Sequence, residues 1–347
     1  MLRDMPIDRL RQHAGDIRQL VTAELFERLE GQGRGSRVAR LAVPGGFDIE
    51  VLPDRGMDLG AVSWRGIPVA WISAAGPSAP DVLDPGSQGW LRAFRGGLLV
   101  TCGFDQFGAE SVGESSVLPL HGRAHTLISS QFATWSKQVE DDWQVGARGQ
   151  TRQATAFAEN LRLTRSISTS LYTPEIRLTD IVTNDGHSKW PHMMLYHMNF
   201  GWPIISAGTT LSVGYLLNGE WTELNEPSPR DEAAAAGKLT WRMITEPAPT
   251  FPEQVFRFDF PAGAEVIVKI NSPDVSLEVS VRFSASELHH LYVWKILQDG
   301  VNVIALEPAN SPGIAGQESL RSNGLLPYIA PGESRNYGMT IAVREIP

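Results

Sequence analysis

The chain has 347 residues, of which 42% are hydrophobic and 20% are charged, so it can bury a large core and is not globally disordered. Its net charge is −9 and no basic block is present, which disfavours nucleic acid and anionic membranes as partners. The single cysteine, Cys102, excludes internal disulfides and cysteine-based zinc sites. There is no apolar run of the roughly 18 residues that span a membrane, and the charged start lacks the apolar core of an export signal. We therefore expect a soluble, cytoplasmic protein.

The predicted elements begin with a helical segment and continue as strands. Leu10, Ile17, Val21 and Leu25 recur at helical spacings, which predicts a helix within residues 7–29. Beyond this segment the hydrophobic period is two, which is typical of half-buried strands. Strands are predicted over residues 37–43, 47–52, 58–64, 135–139, 143–147, 161–167, 175–182, 193–199, 266–270, 275–283, 291–297 and 333–343.

Turn signals separate these strands, and the chain contains 33 glycines and 23 prolines. No alternation of strands with helices is present, which disfavours a doubly wound parallel sheet. We predict an all-β protein, with a large antiparallel sandwich or barrel in one domain over residues 1–347 and a helical lead-in over residues 1–30. The Pro- and Ala-rich residues 224–238 are predicted to form a surface loop of that domain.

Four polar residues occupy positions typical of catalytic or ligand-binding side chains. His121, in LPLHGRAHT, lies between a proline and a glycine and is predicted at a turn. His197, in LYHMNFGWP, lies near the end of a predicted strand. Glu307 ends the apolar run VNVIALEPAN, where an acid is costly unless it is paired or functional. Arg95, in FRGGLLV, precedes two glycines that would allow the backbone to approach a ligand closely.

Each of these residues also has an ordinary structural interpretation. His121 can hydrogen-bond a turn, His197 can lie in the core, Glu307 can pair with an arginine, and Arg95 can form a surface salt bridge. A metal site is the weaker hypothesis: His121 and His125 would converge on a helix, but the neighbouring proline and glycine argue against one, and along a strand they would lie roughly 13 Å apart. We predict neither a metal nor a cofactor.

Taken together, these segments resemble the galactose mutarotase-like superfamily, the aldose 1-epimerases. The resemblance rests on LHG at His121, on YHMNF at His197 after VTN, on ALEP at Glu307, and on PGE near the C-terminus, in this order and widely separated. PDRGMDLG at residues 53–60 and the LEPANS run are similar to an uncharacterised aldose-epimerase-like subfamily of the DUF4432 type. FRGGLLVTCGFDQFG followed by LPLHGRAH is also similar to the glucose-6-phosphate 1-epimerase branch. The resemblance covers roughly residues 15–345.

The resemblance implies a twisted antiparallel β-sandwich (a supersandwich) whose concave face holds one sugar. In that arrangement Glu307 would be the general base, and His197 would be the general acid that protonates the ring oxygen. His121 would hydrogen-bond the ring region, and Arg95 would orient hydroxyls or a carboxylate. The remaining candidates for substrate binding are Arg123, His125, Asn199 and Trp202.

Two departures limit what the resemblance implies. The arginine of HGxAR is replaced by His125, although Arg123 lies two residues away, so recognition of a phosphosugar is not implied. The aspartate that the family places between the second histidine and the glutamate has no clear counterpart in the sequence. Trp202 is singled out among ten tryptophans because it lies close to His197 along the chain.

The sequence therefore predicts an isomerase of the aldose 1-epimerase or mutarotase type. Its expected partner is a small carbohydrate, either a free sugar or a sugar acid, and a homodimer is left open. One alternative is a carbohydrate-binding protein that has kept the fold without the activity, although a pure binder has no need of an acid–base pair. The other alternative is a metal-dependent sugar isomerase or lyase that uses His121, His125, His197 and Glu307.

Overall fold

The protein is described by a computed structural model that covers residues 5–80, 89–113, 116–228 and 241–347. The helices of these residues are short: α1 (Ile7–His13), α2 (Gly89–Ala93) and α3 (Gln317–Ser322). None of them is long and apolar enough to cross a membrane. Of the loop predicted over residues 224–238, Leu224 ends a strand and residues 229–238 lie outside the described residues.

The helical lead-in is confirmed in its first half, and the prediction is wrong for its second half. α1 and a 3-10 turn at Ile17–Gln19 are followed by a strand, β1 (Thr22–Glu27). β1 pairs with the next strand in antiparallel register, with Thr22 opposite Ala42. The four-residue spacing of Val21 and Leu25 fits a period of two as well as a helix, and strand pairing decides between them.

The other strands follow in chain order. They are β2 (Arg37–Ala42), β3 (Phe47–Leu52), β4 (Asp58–Trp64), β5 (Ile67–Pro68), β6 (Val100–Cys102), β7 (Ser111–Val112), β8 (Val117–Leu118), β9 (Ser130–Val139), β10 (Asp142–Ala154), β11 (Asn160–Ser170), β12 (Glu175–Asn184), β13 (Trp190–Pro191), β14 (Leu195–Gly201), β15 (Thr210–Leu217), β16 (Glu220–Leu224), β17 (Gln254–Asp259), β18 (Glu265–Ser272), β19 (Leu277–Ser284), β20 (His290–Gln298), β21 (Val301–Ala309), β22 (Tyr328–Ile329) and β23 (Ser334–Glu345).

Three antiparallel sheets form the body of the described residues. The large sheet has the strand order β16-β15-β18-β19-β23-β12-β11-β10-β9, and the N-terminal sheet has the order β1-β2-β3-β4-β5. The third sheet, here called the site sheet, has the order β17-β20-β21-β14-β6. The predicted all-β, antiparallel architecture is confirmed. Several predicted boundaries differ from the structure by a few residues: Val275 belongs to a 3-10 turn, so β19 begins at Leu277, and β14 begins at Leu195 rather than at Met193.

The site sheet has two apolar faces, because successive side chains of a strand point to opposite sides. On β14, Tyr196, Met198 and Phe200 face the main core, which also contains buried side chains of the other two sheets. Leu195 of the same strand belongs to a second, smaller apolar cluster with Tyr292 of β20 and others. His197 and Glu307 are thereby placed on the face of the sheet that carries this second cluster. The single domain remains a prediction, and a main core with members from Ile7 to Val343 is consistent with it.

Candidate active site

Two neighbouring strands of the site sheet bring His197 and Glu307 into contact. Nε2 of His197 on β14 lies 3.1 Å from Oε1 of Glu307 on β21. Their side chains are 4% and 3% exposed. Both residues alternate with core residues: His197 lies between Tyr196 and Met198, and Glu307 follows Leu306. Strand alternation therefore directs an acid and an imidazole to the same buried position.

Burial favours the uncharged form of both groups. It raises the pKa of Glu307 to about 8, and the negative charge of Glu253 acts in the same direction. It lowers the pKa of His197 to about 3, and the neighbouring His121 acts in the same direction. At neutral pH Glu307 is therefore protonated and the imidazole of His197 is neutral, so that the carboxyl proton can be donated to Nε2 of His197.

The turn that carries His121 is confirmed. The amide of Gly122 donates to the carbonyl of Pro119 at 3.0 Å, and His121 has a φ of 57°. A Cβ at Gly122 would lie 2.3 Å from the carbonyl oxygen of Gln106, so only glycine fits there. The LHG motif thus places an imidazole on a turn that is packed against another segment. The ring of His121 lies 5.8 Å from that of His197, between ring centroids.

The surroundings of the two LHGRAH histidines also favour their neutral forms. Burial lowers the pKa of His121 to about 4. Burial also lowers the pKa of His125 well below its ordinary value, and the positive charge of Arg55 acts in the same direction. Both imidazoles are therefore uncharged at neutral pH and can exchange hydrogen bonds with a neutral polar ligand.

Aromatic rings cover this group of polar side chains. Trp90 and Phe94, from α2 and the residue after it, stack with their centroids 4.3 Å apart. The ring of Trp90 lies 4.5 Å from that of His121, and the ring of Phe94 lies 5.2 Å from that of His197. Trp294 of β20 approaches His197 to 5.4 Å. The acid–base pair thus lies beneath an aromatic layer.

Two of the predicted binding residues, Asn199 and Arg95, have contacts within the protein for part of their polar groups. Asn199 is buried, and its amide donates to the carbonyl oxygens of Gly97 and His197. Arg95 is buried, and its guanidinium lies 3.3 Å from Glu50 of the N-terminal sheet. These contacts make Asn199 part of the framework around His197 and tie Arg95 to the N-terminal sheet.

The two glycines after Arg95 serve a different purpose from the one predicted. A Cβ at Gly96 would lie 2.5 Å from the carbonyl oxygen of Trp71, and one at Gly97 would lie 2.4 Å from that of Leu59. Their closest neighbours are therefore other parts of the chain. The expectation that they admit a ligand is not supported, because the protein backbone occupies the space beside them.

Two predicted residues lie away from the pair. Arg123 donates to the carbonyl of Val117 and lines a separate small cavity with Asp105 and Trp190. Trp202 follows β14 in a turn and is 70% exposed. In the described part of the chain, the tryptophan rings in contact with His197 are those of Trp90 and Trp294, and not that of Trp202.

Five neighbours of the site were not among the predicted site residues: Arg55, Trp90, Phe94, Glu253 and Trp294. Arg55 donates to the carbonyl of Ala93 on α2, and Glu253 accepts a 2.6 Å hydrogen bond from Nε1 of Trp294. The PDRGMDLG motif contained a signal for Arg55, since an arginine among motif residues invites a functional test. Phe94 and Glu253 reach the site through tertiary contacts and carry no such sequence signal.

A metal site was the weaker hypothesis from the sequence, and the structure shows how the side chains that could bind a metal are arranged. Within residues 5–80, 89–113, 116–228 and 241–347, no three His, Cys, Asp or Glu side chains are arranged to hold a metal ion. Glu307 and His197 are instead directed at each other. The arrangement offers an exchangeable proton between two buried groups, with aromatic faces around it.

The sequence of this chain matches the model of one protein family. The family described as a domain of unknown function (DUF4432) matches residues 33–343. The chain belongs to this family. A comparison with curated proteins gives no significant match. The PDRGMDLG and LEPANS segments, on which the DUF4432-type resemblance rests, both lie inside the matched range.

Solved structures share the fold of this DUF4432 chain. A provisionally named aldose 1-epimerase of Klebsiella pneumoniae has a TM-score of 0.83 at 21% identity, covering 99% of this chain and 87% of that chain. A galactose mutarotase-like protein of Clostridium acetobutylicum has a TM-score of 0.60 at 14% identity, covering 94% and 99%. Galactose 1-epimerase of Lactobacillus acidophilus has a TM-score of 0.57 at 12% identity, covering 94% and 100%. The fold is therefore the galactose mutarotase-like β-sandwich.

Proposed function

We propose that the protein is an aldose 1-epimerase-like isomerase, which interconverts the anomers of a free sugar or sugar acid. The observation that carries this proposal is the buried contact of 3.1 Å between His197 and Glu307 beneath aromatic rings. Opening a hemiacetal ring requires that one proton be removed from the anomeric hydroxyl and one be supplied to the ring oxygen. A pair of groups that shares one proton meets both requirements.

In the proposed reaction, Glu307 takes the proton of the anomeric hydroxyl and His197 protonates the ring oxygen. The bond between C1 and the ring oxygen breaks, and a carbonyl forms at C1. Rotation about the C1–C2 bond and closure from the other face reverse both proton transfers and give the other anomer. Moving the proton from Glu307 to His197 prepares the carboxylate and imidazolium that these roles require, without changing the net charge of the pair.

The neighbouring side chains would hold the sugar around this pair. Trp90, Phe94 and Trp294 offer apolar faces to ring C–H groups, and His121 can hydrogen-bond a hydroxyl. Glu253, beside Trp294, is an acceptor for a second hydroxyl. It lies between His197 and Glu307 along the chain, where the resemblance expects a substrate-binding acid. Because the pair is buried, a sugar reaches it only when side chains that cover it move aside.

The experiment is a measurement of anomer exchange by NMR or polarimetry with aldoses, deoxysugars and uronic acids. Glu307→Gln and His197→Asn should each lower the catalysed rate by about 10²–10⁴-fold, because each removes one proton-transfer group. Glu265→Gln and His289→Asn are matched controls outside the site and should keep the wild-type rate. Glu265 is exposed on β18, and His289 precedes β20.

Two other results would contradict the proposal. Sugar binding without accelerated exchange would indicate a carbohydrate-binding protein without this activity. A rate that depends on a metal found by elemental analysis, and that is lost with a chelator, would indicate a metal-dependent sugar isomerase or lyase.

A further inference from the structure

A small cavity adjoins the proposed active site. It encloses about 10 Å³, room for about one water molecule, and Arg55, Trp90, Val100 and His125 are part of its lining. Val100 of β6 lies directly opposite His197 of β14 in the strand register. β21, which carries Glu307, pairs with the other edge of β14. Glu307, His197 and the cavity therefore follow one another across the site sheet.

Three residues of the cavity lining carry a buried hydrogen-bond donor that lacks an acceptor. Among the described residues, no acceptor is within reach of Nε of Arg55, Nε of Arg95 or Nε1 of Trp90. These N–H groups cannot accept a hydrogen bond. A ligand that satisfies them must therefore bring acceptor atoms to this position.

Arg55 also brings a buried positive charge to this cavity. Its terminal nitrogens donate to Oγ of Ser78 and to the carbonyl of Ala93, which are both neutral acceptors. No carboxylate of the described part of the chain forms an ion pair with it. The acid in the lining, Asp58, accepts from Thr101 at 2.6 Å and pairs with Arg165 at 3.2 Å.

The charges of the groups around Arg55 also bear on what this cavity can bind. Arg95, the other arginine of the lining, is already paired with Glu50. Burial lowers the pKa of Arg55 to about 10; the charge of Asp58 opposes this shift, and that of Arg95 adds to it. His125 is neutral at this position. The cavity lining thus combines unpaired donors with one positive charge, that of Arg55, which has no ion-pair partner among the described residues.

We propose that this cavity receives the carboxylate of a sugar acid, so that the substrate of the proposed reaction is a pyranuronic acid. This inference rests on the proposed function, because the roles of Glu307 and His197 orient the ring. In a pyranuronic acid the anomeric oxygen, C1, the ring oxygen, C5 and the carboxylate carbon are bonded in this order. With the anomeric oxygen at Glu307 and the ring oxygen at His197, the carboxylate lies beyond His197, on the side of the cavity.

The size of the cavity favours a carboxylate over a phosphate. A carboxylate has two terminal oxygens that can accept from a guanidinium and from an indole N–H. In the arrangement described, the cavity has room for about one water molecule, so either group enters only as the covering rings move aside. The two terminal oxygens of a carboxylate need less of this added space than the three of a sugar 6-phosphate. The chain also has His125 where the phosphosugar epimerases that it resembles have an arginine.

The test compares anomer exchange of glucuronate and galacturonate with that of glucose, galactose and glucose 6-phosphate. For wild type, kcat/KM should be roughly 10- to 100-fold higher for the uronates than for the neutral sugars, as expected for charge-assisted hydrogen bonds. Arg55→Met should bring this ratio close to one, and Arg55→Lys should keep part of it. Arg177→Met, an exposed arginine of β12, is the matched control and should keep the full ratio.

Several outcomes would overturn the inference: equal rates for uronates and neutral sugars, preference for glucose 6-phosphate, or an unchanged ratio in Arg55→Met. Calorimetric binding of glucuronate and glucose to Glu307→Gln provides a readout without turnover, and the inference expects tighter binding of glucuronate. This comparison also decides the matter if Arg55→Met does not fold. If no sugar shows accelerated exchange, the proposed function is contradicted. The comparison of glucuronate and glucose binding still tests whether the cavity receives a carboxylate.

Discussion

The single proton shared by His197 and Glu307 gives the proposed reaction a defined pH range. Because burial raises the pKa of Glu307 to about 8, the pair loses this proton as the pH rises through that value. Above it, Glu307 is a carboxylate and His197 is neutral, so no acid is left to protonate the ring oxygen. We expect kcat/KM to fall above about pH 8, measured by NMR exchange with the uncatalysed rate subtracted.

Glu253→Gln provides a control for this pH dependence. The negative charge of Glu253 helps to raise the pKa of Glu307, and glutamine keeps an acceptor for Nε1 of Trp294. The alkaline fall in kcat/KM should therefore move to lower pH in this variant. A wild-type profile that stays flat to pH 10 would show that the proton of Glu307 is not used.

Single residues also show what the sequence could predict about the site. His197 and Glu307 were predicted because their motifs occur in the order of a known family, and the structure places them 3.1 Å apart. Arg55 was not predicted, because its place in the site depends on the loop before β4 meeting α2, a contact far apart in sequence. Arg95 was assigned to a ligand, but Glu50 on β3 competes for its guanidinium, and no local pattern reveals this partner.

At the scale of elements, burial explains which predictions were accurate. β3 and β4 have the predicted bounds, and on β18 the buried Val266, Val268 and Ile270 alternate with more exposed residues. β1 lacks this alternation, because Leu25 and Phe26 are both about half exposed at the edge of the N-terminal sheet. A strand without a buried face gives no period-two signal, so its helical spacing dominated the prediction.

The tight contact at Gly97 joins two elements and predicts a large effect of substitution. Gly97 has a φ of 99°, and a Cβ there would meet the carbonyl oxygen of Leu59 on β4 at 2.4 Å. We expect Gly97→Ala to lower the free energy of unfolding by about 3 kcal/mol or more, measured by urea titration, since both the backbone conformation and the contact are lost.

Gly66→Ala separates the cost of the backbone conformation from the cost of the lost contact. Gly66 also has a positive φ, of 82°, but nothing lies within 4 Å of the position of its Cβ. Its substitution should cost about 1–2 kcal/mol, from backbone conformation alone. Equal losses in the two variants would show that the approach of the segment after α2 to β4 is not a tight constraint.

At the scale of the whole molecule, one buried charge network joins the three sheets. Arg165 of β11, in the large sheet, binds Asp180 of β12 through two hydrogen bonds of 2.8 and 2.6 Å. It also binds Asp58 of β4 in the N-terminal sheet and Oγ1 of Thr101 on β6 of the site sheet. Its side chain is fully buried. This network fixes the loop that carries Arg55 relative to the strands that carry the acid–base pair, because Arg165 also donates to the carbonyl of Gly56.

Removing the arginine from this network should destabilise the whole fold. Arg165→Met leaves Asp58 and Asp180 buried without their cation, and we expect the free energy of unfolding to fall by about 3–5 kcal/mol in urea titrations. Combining it with Asp180→Asn removes one of these stranded charges and should recover part of the loss. Arg282→Met, at an exposed position of β19, should change stability by less than about 0.5 kcal/mol. If Arg165→Met behaves like this control, the three sheets are held together by apolar packing alone.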